Sequence, residues 1–240
     1  LFPEGEKFFV ESVKQQREKV TDAALLRDIA GFIGQEAMHG KEHRAFNELL
    51  VAHGFAEAPR IEKRLRAFLK SVRRVLSPMS QLAVTCALEH FTAMLAEALL
   101  RDSRMRDEVH ESVRPLWLWH ALEESEHKAV AFDVYKAAGG RYPRRVLIML
   151  LTTAVFFAAQ AIVHARLMAT RGILGKPWTW VRGATRFWIY PGFLTRLTPA
   201  YLSYFRPGFH PNDRDTNELL DSWRISLFGA DGIVALRRVS

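Results

Sequence analysis

Apolar residues recur every three or four positions along most of residues 3–137, the period of an amphipathic helix, and alternation with period two is nearly absent. The pattern predicts an all-α chain. Pro3 stands where a helix begins, and helical spacing runs from Phe8 to about Val20. A second helix is expected from Asp22, as N-cap, to about His53, with Gly54 as its stop and with Gly31, Gly34 and Gly40 to loosen or bend it. A basic amphipathic piece covers Pro59–Leu76. Ser77-Pro78 reads as the cap and first position of a third long helix to about Leu100. Residues 101–106 are polar. A fourth helix starts at Asp107 or Pro115 and runs to Ala138, ended by Gly139-Gly140, and a closing helix spans Thr216 to about Leu227.

The pattern changes after Tyr142-Pro143. Val146–Val163, VLIMLLTTAVFFAAQAIV, holds no charge, with Arg144 and Arg145 before it and Arg166 after it. Its 18 residues are near the lower limit for crossing a bilayer. An Arg- and aromatic-rich segment follows, KPWTWVRGATRFWIYPGFLTRL, then YLSYFRPGFHPNDRD. Two readings stand open: contact with a membrane surface, or a central helix covered on all sides by protein. The division expected is a helical bundle over 1–140 and a hydrophobic, aromatic-rich helical extension over 141–240.

The informative positions are those where the hydrophobic stripes are interrupted. In the second helix Ile29, Phe32, Glu36, His39, His43, Phe46 and Leu50 share one face, apolar at both ends and polar in the middle. In the fourth, Trp117, His120, Glu124, His127, Ala131 and Val134 repeat the arrangement. Glu89 is central in the stripe Leu82, Thr85, Glu89, Thr92, Ala96 and Leu99. Glu6 aligns with Phe2, Phe9 and Val13, although Glu4 and Glu11 compete with it on a short helix. Burying one unpartnered carboxylate costs several kcal/mol. Four of them repel one another, and divalent cations resolve the conflict by accepting carboxylate oxygens and neutral imidazole nitrogens together.

The order is also specific. Di-metal carboxylate bundles take one Glu from each of two helices and a Glu-x-x-His pair from each of the other two. Glu6 and Glu89 supply the single carboxylates here, and Glu36-x-x-His39 and Glu124-x-x-His127 the pairs. With 17 Glu and 9 His in 240 residues, about 0.6 such pairs would arise by chance, so their mid-stripe placement carries the signal. The expected metal ligands are therefore Glu6, Glu36, His39, Glu89, Glu124 and His127 in a bundle of four helices. His43 and His120 lie one turn away on the same faces, as further ligands or as groups that orient the carboxylates. Glu42, Glu123 and Glu126 fall off the stripes and are expected to point elsewhere, solvated or paired. His90 and Glu97 read as satisfied structural groups.

Composition narrows the setting. Thirty-four basic against 26 acidic side chains give a net charge of +8, but the Arg residues are scattered over amphipathic helices in no single tract, which argues against nucleic acid. Cys86, the one cysteine, excludes an internal disulfide and fits a reducing, cytoplasmic compartment, with attachment to the inner face of a membrane left open. The chain opens on Leu1 rather than Met, as a fragment would, and the opening stretch LFPEGEKFFVESVKQQREKV has no apolar core of signal-peptide length.

FPEGEKFF, FIGQEAMHGKEH, ALEHFTA, WHALEESEHKAVAFDVY and YFRPGFHP together resemble the bacterial family described as predicted metal-dependent hydrolase, within the ferritin-like di-metal carboxylate group. The resemblance runs over nearly the whole chain and implies a ferritin-like four-helix bundle with a metal pair on the six residues already named. Three functions follow as expectations. The first is a non-haem di-iron oxidase or oxygenase that activates O2 on a small apolar substrate. It would use two Fe ions (Mn or mixed Mn/Fe being open), an electron-donor protein as partner, and a homodimer as an open assembly. The alternative is a two-metal hydrolase of an ester or phosphoester, and a third reading is a non-catalytic iron-binding or ferroxidase-like bundle.

Overall fold

The structure, a computed structural model, describes residues 2–189, 192–229 and 233, and those residues form helices and turns with no strand among them. Helix α1 (Phe2–Lys14) carries Pro3 in its first turn, where the missing N–H costs nothing. Asp22 caps α2 (Ala23–Ala52) by accepting from the Ala24 N–H at 3.0 Å, and the helix runs unbroken through its three glycines. Helix α3 (Ala58–Val75) is the basic amphipathic piece. Ser77 caps α4 (Pro78–Arg101) through the Ser80 N–H.

Three boundaries differ from the sequence reading. Helix α1 stops at Lys14 rather than near Val20, and Arg17–Lys19 form a separate tight turn. The polar stretch after Arg101 folds into a short helix, α5 (Ser103–Glu108), because Asp102 turns its carboxylate onto the Arg104 N–H at 2.9 Å and so provides an N-cap. The fourth helix is two helices, α6 (Arg114–Glu126) and α7 (Val130–Ala137). Between them the ladder tightens: the Val130 N–H bonds the His127 carbonyl, three residues back, at 3.0 Å. Lys128 in the break donates to the Arg214 carbonyl at 2.9 Å and to Thr216 Oγ1 at 3.1 Å. The periodicity of the stripe survives the break, so the pattern alone could not reveal it. Gly139-Gly140 ends α7 as expected. Gly139 has φ +84°, and a Cβ on Gly140 would sit 2.3 Å from the Tyr135 ring.

The core between α1, α2, α4 and α7 holds Phe8, Val13, Ile29, Phe32, Leu82, Val134 and Tyr135, all at most 1 % exposed. Each such side chain contributes about 1.5–3 kcal/mol relative to exposure. Cys86 is buried there and donates its thiol to the Ala131 carbonyl, consistent with a small core residue. A second cluster joins Leu220 and Leu227 of α11 (Asn217–Phe228) to Leu100, Leu118 and Leu122.

Helix α8 (Tyr142–Thr170) lies on α4, followed by α9 (Pro177–Trp188) and α10 (Phe193–Ser203). Arg145 fastens this region. The residue is 3 % exposed, and its guanidinium donates to the Arg206 carbonyl at 2.6 Å and lies 5.1–5.5 Å from the rings of Phe132, Tyr142, Tyr204 and Phe209. Carbonyls and ring faces replace a carboxylate as the compensation for burying that charge. The sequence segment YFRPGFHP thus serves as the socket for Arg145.

Candidate metal centre

The four interrupted stripes converge. Glu6 (α1), Glu36, His39 and His43 (α2), Glu89 (α4), His120 and Glu124 (α6) and His127, at the α6–α7 break, are all buried, and His120 is the most exposed of the eight at 7 %. Their donor atoms form four overlapping sets of three within 4.8 Å: Glu36, Glu89 and His127; Glu6, Glu36 and His39; His39, His120 and Glu124; and Glu6, His43 and His120. All six expected ligands, and both neighbouring histidines, are therefore in one place.

Hydrogen bonding gives each imidazole a direction. His39 Nε2 lies 2.9 Å from Glu123 Oε2, an acceptor, so Nε2 carries the proton and the bare Nδ1 faces Glu124 at 3.6 Å. His127 Nδ1 lies 3.0 Å from Gln35 Oε1, while Gln35 Nε2 donates to Glu126; the other ring nitrogen, Nε2, then faces Glu36 at 3.2 Å and Glu89 at 3.6 Å. An outer N–H held by an amide or carboxylate oxygen, with the inner nitrogen free, is the arrangement that presents histidine to a metal. His43 and His120 instead meet each other, Nε2 to Nδ1 at 3.3 Å, with His43 Nε2 also 3.3 Å from Glu6 and His120 Nε2 3.3 Å from Glu124.

The interior is electrostatically unfinished without a cation. Both oxygens of Glu6, Glu36 and Glu89, Oε2 of Glu124, Nδ1 of His39 and His43 and Nε2 of His127 are buried with no hydrogen-bond partner. Buried polar atoms are nearly always partnered, so ten orphans in one cluster fit a bound cationic group. Burial, then the charges of Glu36 and Glu124, would push the Glu6 carboxyl up to about 9. Burial likewise raises Glu36 and Glu89. Burial opposes ionisation of Glu124 too, but the three imidazoles around it outweigh that and hold its pKa low. On His127 burial opposes a charge, yet Glu124 and Glu36 prevail and raise its pKa. Burial lowers His43 to about 3 and His120 to about 4, so both are neutral near pH 7. Oxygen and imidazole donors with their lone pairs turned inward fit divalent cations.

Sequence reasoning missed three contributors. Glu123 was expected to point away, but its carboxylate reaches back to His39 and also accepts from Trp119 Nε1 at 3.0 Å. Gln35, next to a ligand and therefore off the stripe, holds His127. Gly40 provides room: a Cβ there would lie 3.2 Å from Glu6 Oε2, so its absence lets that carboxylate lie against α2. Phe2, Trp117 and Phe46 cover the imidazole-rich end, with Phe2 stacked on His43 at 4.5 Å and itself 41 % exposed. A separate cavity of about 770 Å³, lined by His90, Glu97, Lys128, Arg206, His210 and Arg214, contains none of the eight donors. As expected, His90 and Glu97 are satisfied, by the Ala200 carbonyl and by Arg101 and Arg214.

A family model described as predicted metal-dependent hydrolase matches residues 1–215. No curated protein and no solved structure matches the chain. The family description overturns the oxidase or oxygenase expectation in favour of its stated alternative, hydrolysis. Carboxylates and imidazoles bind Fe(II), Mn(II) and Zn(II) alike, so ligand spacing cannot separate redox from Lewis-acid use of the same donors. The expectations of O2 and an electron donor belonged to that reading and are not carried further. With the resemblance in the FIGQEAMHGKEH and WHALEESEHKAVAFDVY blocks now resting on a match across nearly its whole length, this chain belongs to the predicted metal-dependent hydrolase family.

Proposed function

We propose that the protein is a two-metal hydrolase acting on an ester or phosphoester, on a ferritin-like helical scaffold in residues 1–140. The observation that supports this reading is the group of ten orphaned donor atoms within one buried cluster of side chains. Glu36, Glu89, Glu124 and His127 would hold one cation, and Glu6, His39 and a carboxylate shared from Glu36 or Glu124 the other. The first set is rich in carboxylate and suits Mn(II) or Fe(II); the second adjoins His43 and His120, and imidazole suits Zn(II) as well. A bound divalent pair would polarise a carbonyl or phosphoryl oxygen and acidify water.

The chain's own residues do the rest. Glu123 and Gln35 fix the tautomers of His39 and His127, and so keep both inner lone pairs aimed at the cations. His43 and His120, neutral and in mutual contact, are placed to orient the nucleophilic water by hydrogen bonding, or to add ligands to the second ion. Phe2 and Trp117 pack over that end and limit the entry of bulk water.

The test is hydrolysis of a panel of aryl esters and phosphodiesters by protein loaded separately with Mn(II), Fe(II) and Zn(II). Turnover that requires the metal and disappears in Glu36→Ala supports the reading. Metal-loaded protein inert on both classes, or activity unchanged in Glu36→Ala, would refute it.

A further inference from the structure

Helix α8 is apolar on every side, but only one side is used. Ile148, Met149, Thr152 and Phe156 face α4 and the core. On the other side Leu147, Leu150, Leu151, Val155 and Ile162, at three- and four-residue spacing, are 48–58 % exposed. Helix α9 has no buried residue, with Trp178 74 % and Trp188 59 % exposed. The two helices share one surface, since Phe157 meets Trp188 at 6.3 Å and His164 meets Trp180 at 5.9 Å. Helix α4 is also long and apolar enough to cross a bilayer, but 44 % of its apolar window is buried against 17 % for α8. A continuous exposed apolar surface of this kind marks a partner.

Charge says which partner. Residues 134–212 contain eleven Lys or Arg and no Asp or Glu; the other 161 residues contain 23 basic and 26 acidic side chains. The entire positive excess thus belongs to the segment bearing the apolar surface. A second copy docked on this face would set the same cations against each other. Lys176 and Arg182 accompany Trp178, Trp180 and Trp188, which are three of the chain's six tryptophans, while Arg186 is paired with Glu108. Tryptophan beside arginine on an amphipathic helix matches a membrane interface, where rings enter the headgroup level and cations meet lipid phosphates.

We propose that the α8–α9 face docks onto an anionic lipid bilayer and lies in its interface. Spanning is excluded by packing: the inner stripe of α8 is held against α4, and Arg145 ties its first turns to residues 206 and 209. The outer stripe of α8 and the tryptophans of α9 enter the acyl boundary, and Arg171, Lys176 and Arg182 lie at the phosphates.

The experiment is flotation of the full chain with phosphatidylcholine vesicles, with and without about 30 % phosphatidylglycerol, in low and high salt. The expected result is binding to the anionic vesicles about tenfold or more above the neutral ones, weakened by salt, with a blue shift of tryptophan emission. Trp178→Ala, and separately Lys176→Glu with Arg182→Glu, should each lower binding about tenfold while thermal melting and metal content stay unchanged. Equal recovery with neutral and anionic vesicles, or variants that bind like the parent, would overturn the proposal. So would a dimer in lipid-free buffer that Trp178→Ala dissociates, with no vesicle binding.

Discussion

The interior around Glu36 and the outer face of α8 depart from the usual distribution of residues in opposite directions. Four carboxylates and four imidazoles are buried where a helical core should be apolar. Leu147, Leu150, Leu151 and Ile162 are exposed where a soluble surface should be polar. Each region is costly by itself, and each would become favourable with the partner proposed for it: cations within, lipid without. An unsatisfied region of either kind is thus a statement about what the protein binds.

The contrast is tested at several strengths. The largest effect is expected from Glu124→Ala, which removes a carboxylate facing three imidazoles. Bound metal and turnover should both be lost while circular dichroism stays helical, with activity down by about a thousandfold or more if the residue holds a metal that stabilises the transition state. Next, the two faces of α8 should respond differently. Met149→Ala, on the fully buried side, should cost about 2–5 kcal/mol in denaturant unfolding. Leu151→Ser, on the open side, should change it by less than about 0.5 kcal/mol without lipid. Equal costs would mean that the two faces of the helix are packed alike.

Glu123→Gln should weaken metal binding by about ten- to a hundredfold in a chelator competition, because His39 loses its charged acceptor but keeps its ring in place. A pH effect follows from metal removal. Glu6, Glu36, Glu89 and His127 have folded pKa values raised above their unfolded ones, so the metal-free folded state retains protons that the unfolded chain has released. The stability they contribute is present at low pH and lost as pH rises toward their folded pKa values. From pH 7 to the Glu6 value of about 9, chelated protein should therefore lose about 1.4 kcal/mol per pH unit for each retained proton. Metal-loaded protein, with those sites deprotonated in both states, should show little slope in thermal melts over the same range.

Much of the site was legible because its geometry is one-dimensional. A helix converts spacing into a face, so Glu36 with His39, and Glu124 with His127, could be placed together from sequence. Glu89 and Glu6 were placed by the same rule. What escaped depends on reach rather than period. Glu123 and Gln35 stand beside ligands, off the stripe, and return to it only through side-chain length. The break after His127 escaped because the apolar stripe continues through it, and α5 because a single Asp cap outweighed a polar composition. The choice between oxidation and hydrolysis was not in the spacing at all, since one donor set serves both.

Anomalous diffraction from crystals of metal-loaded protein would decide whether cations complete the interior. Two peaks enclosed by Glu6, Glu36, His39, Glu89, Glu124 and His127, with His39 Nδ1 and His127 Nε2 turned toward them, are the expected outcome. Metal found only outside this cluster, or loaded crystals with those carboxylates protonated and bonded to one another, would contradict it.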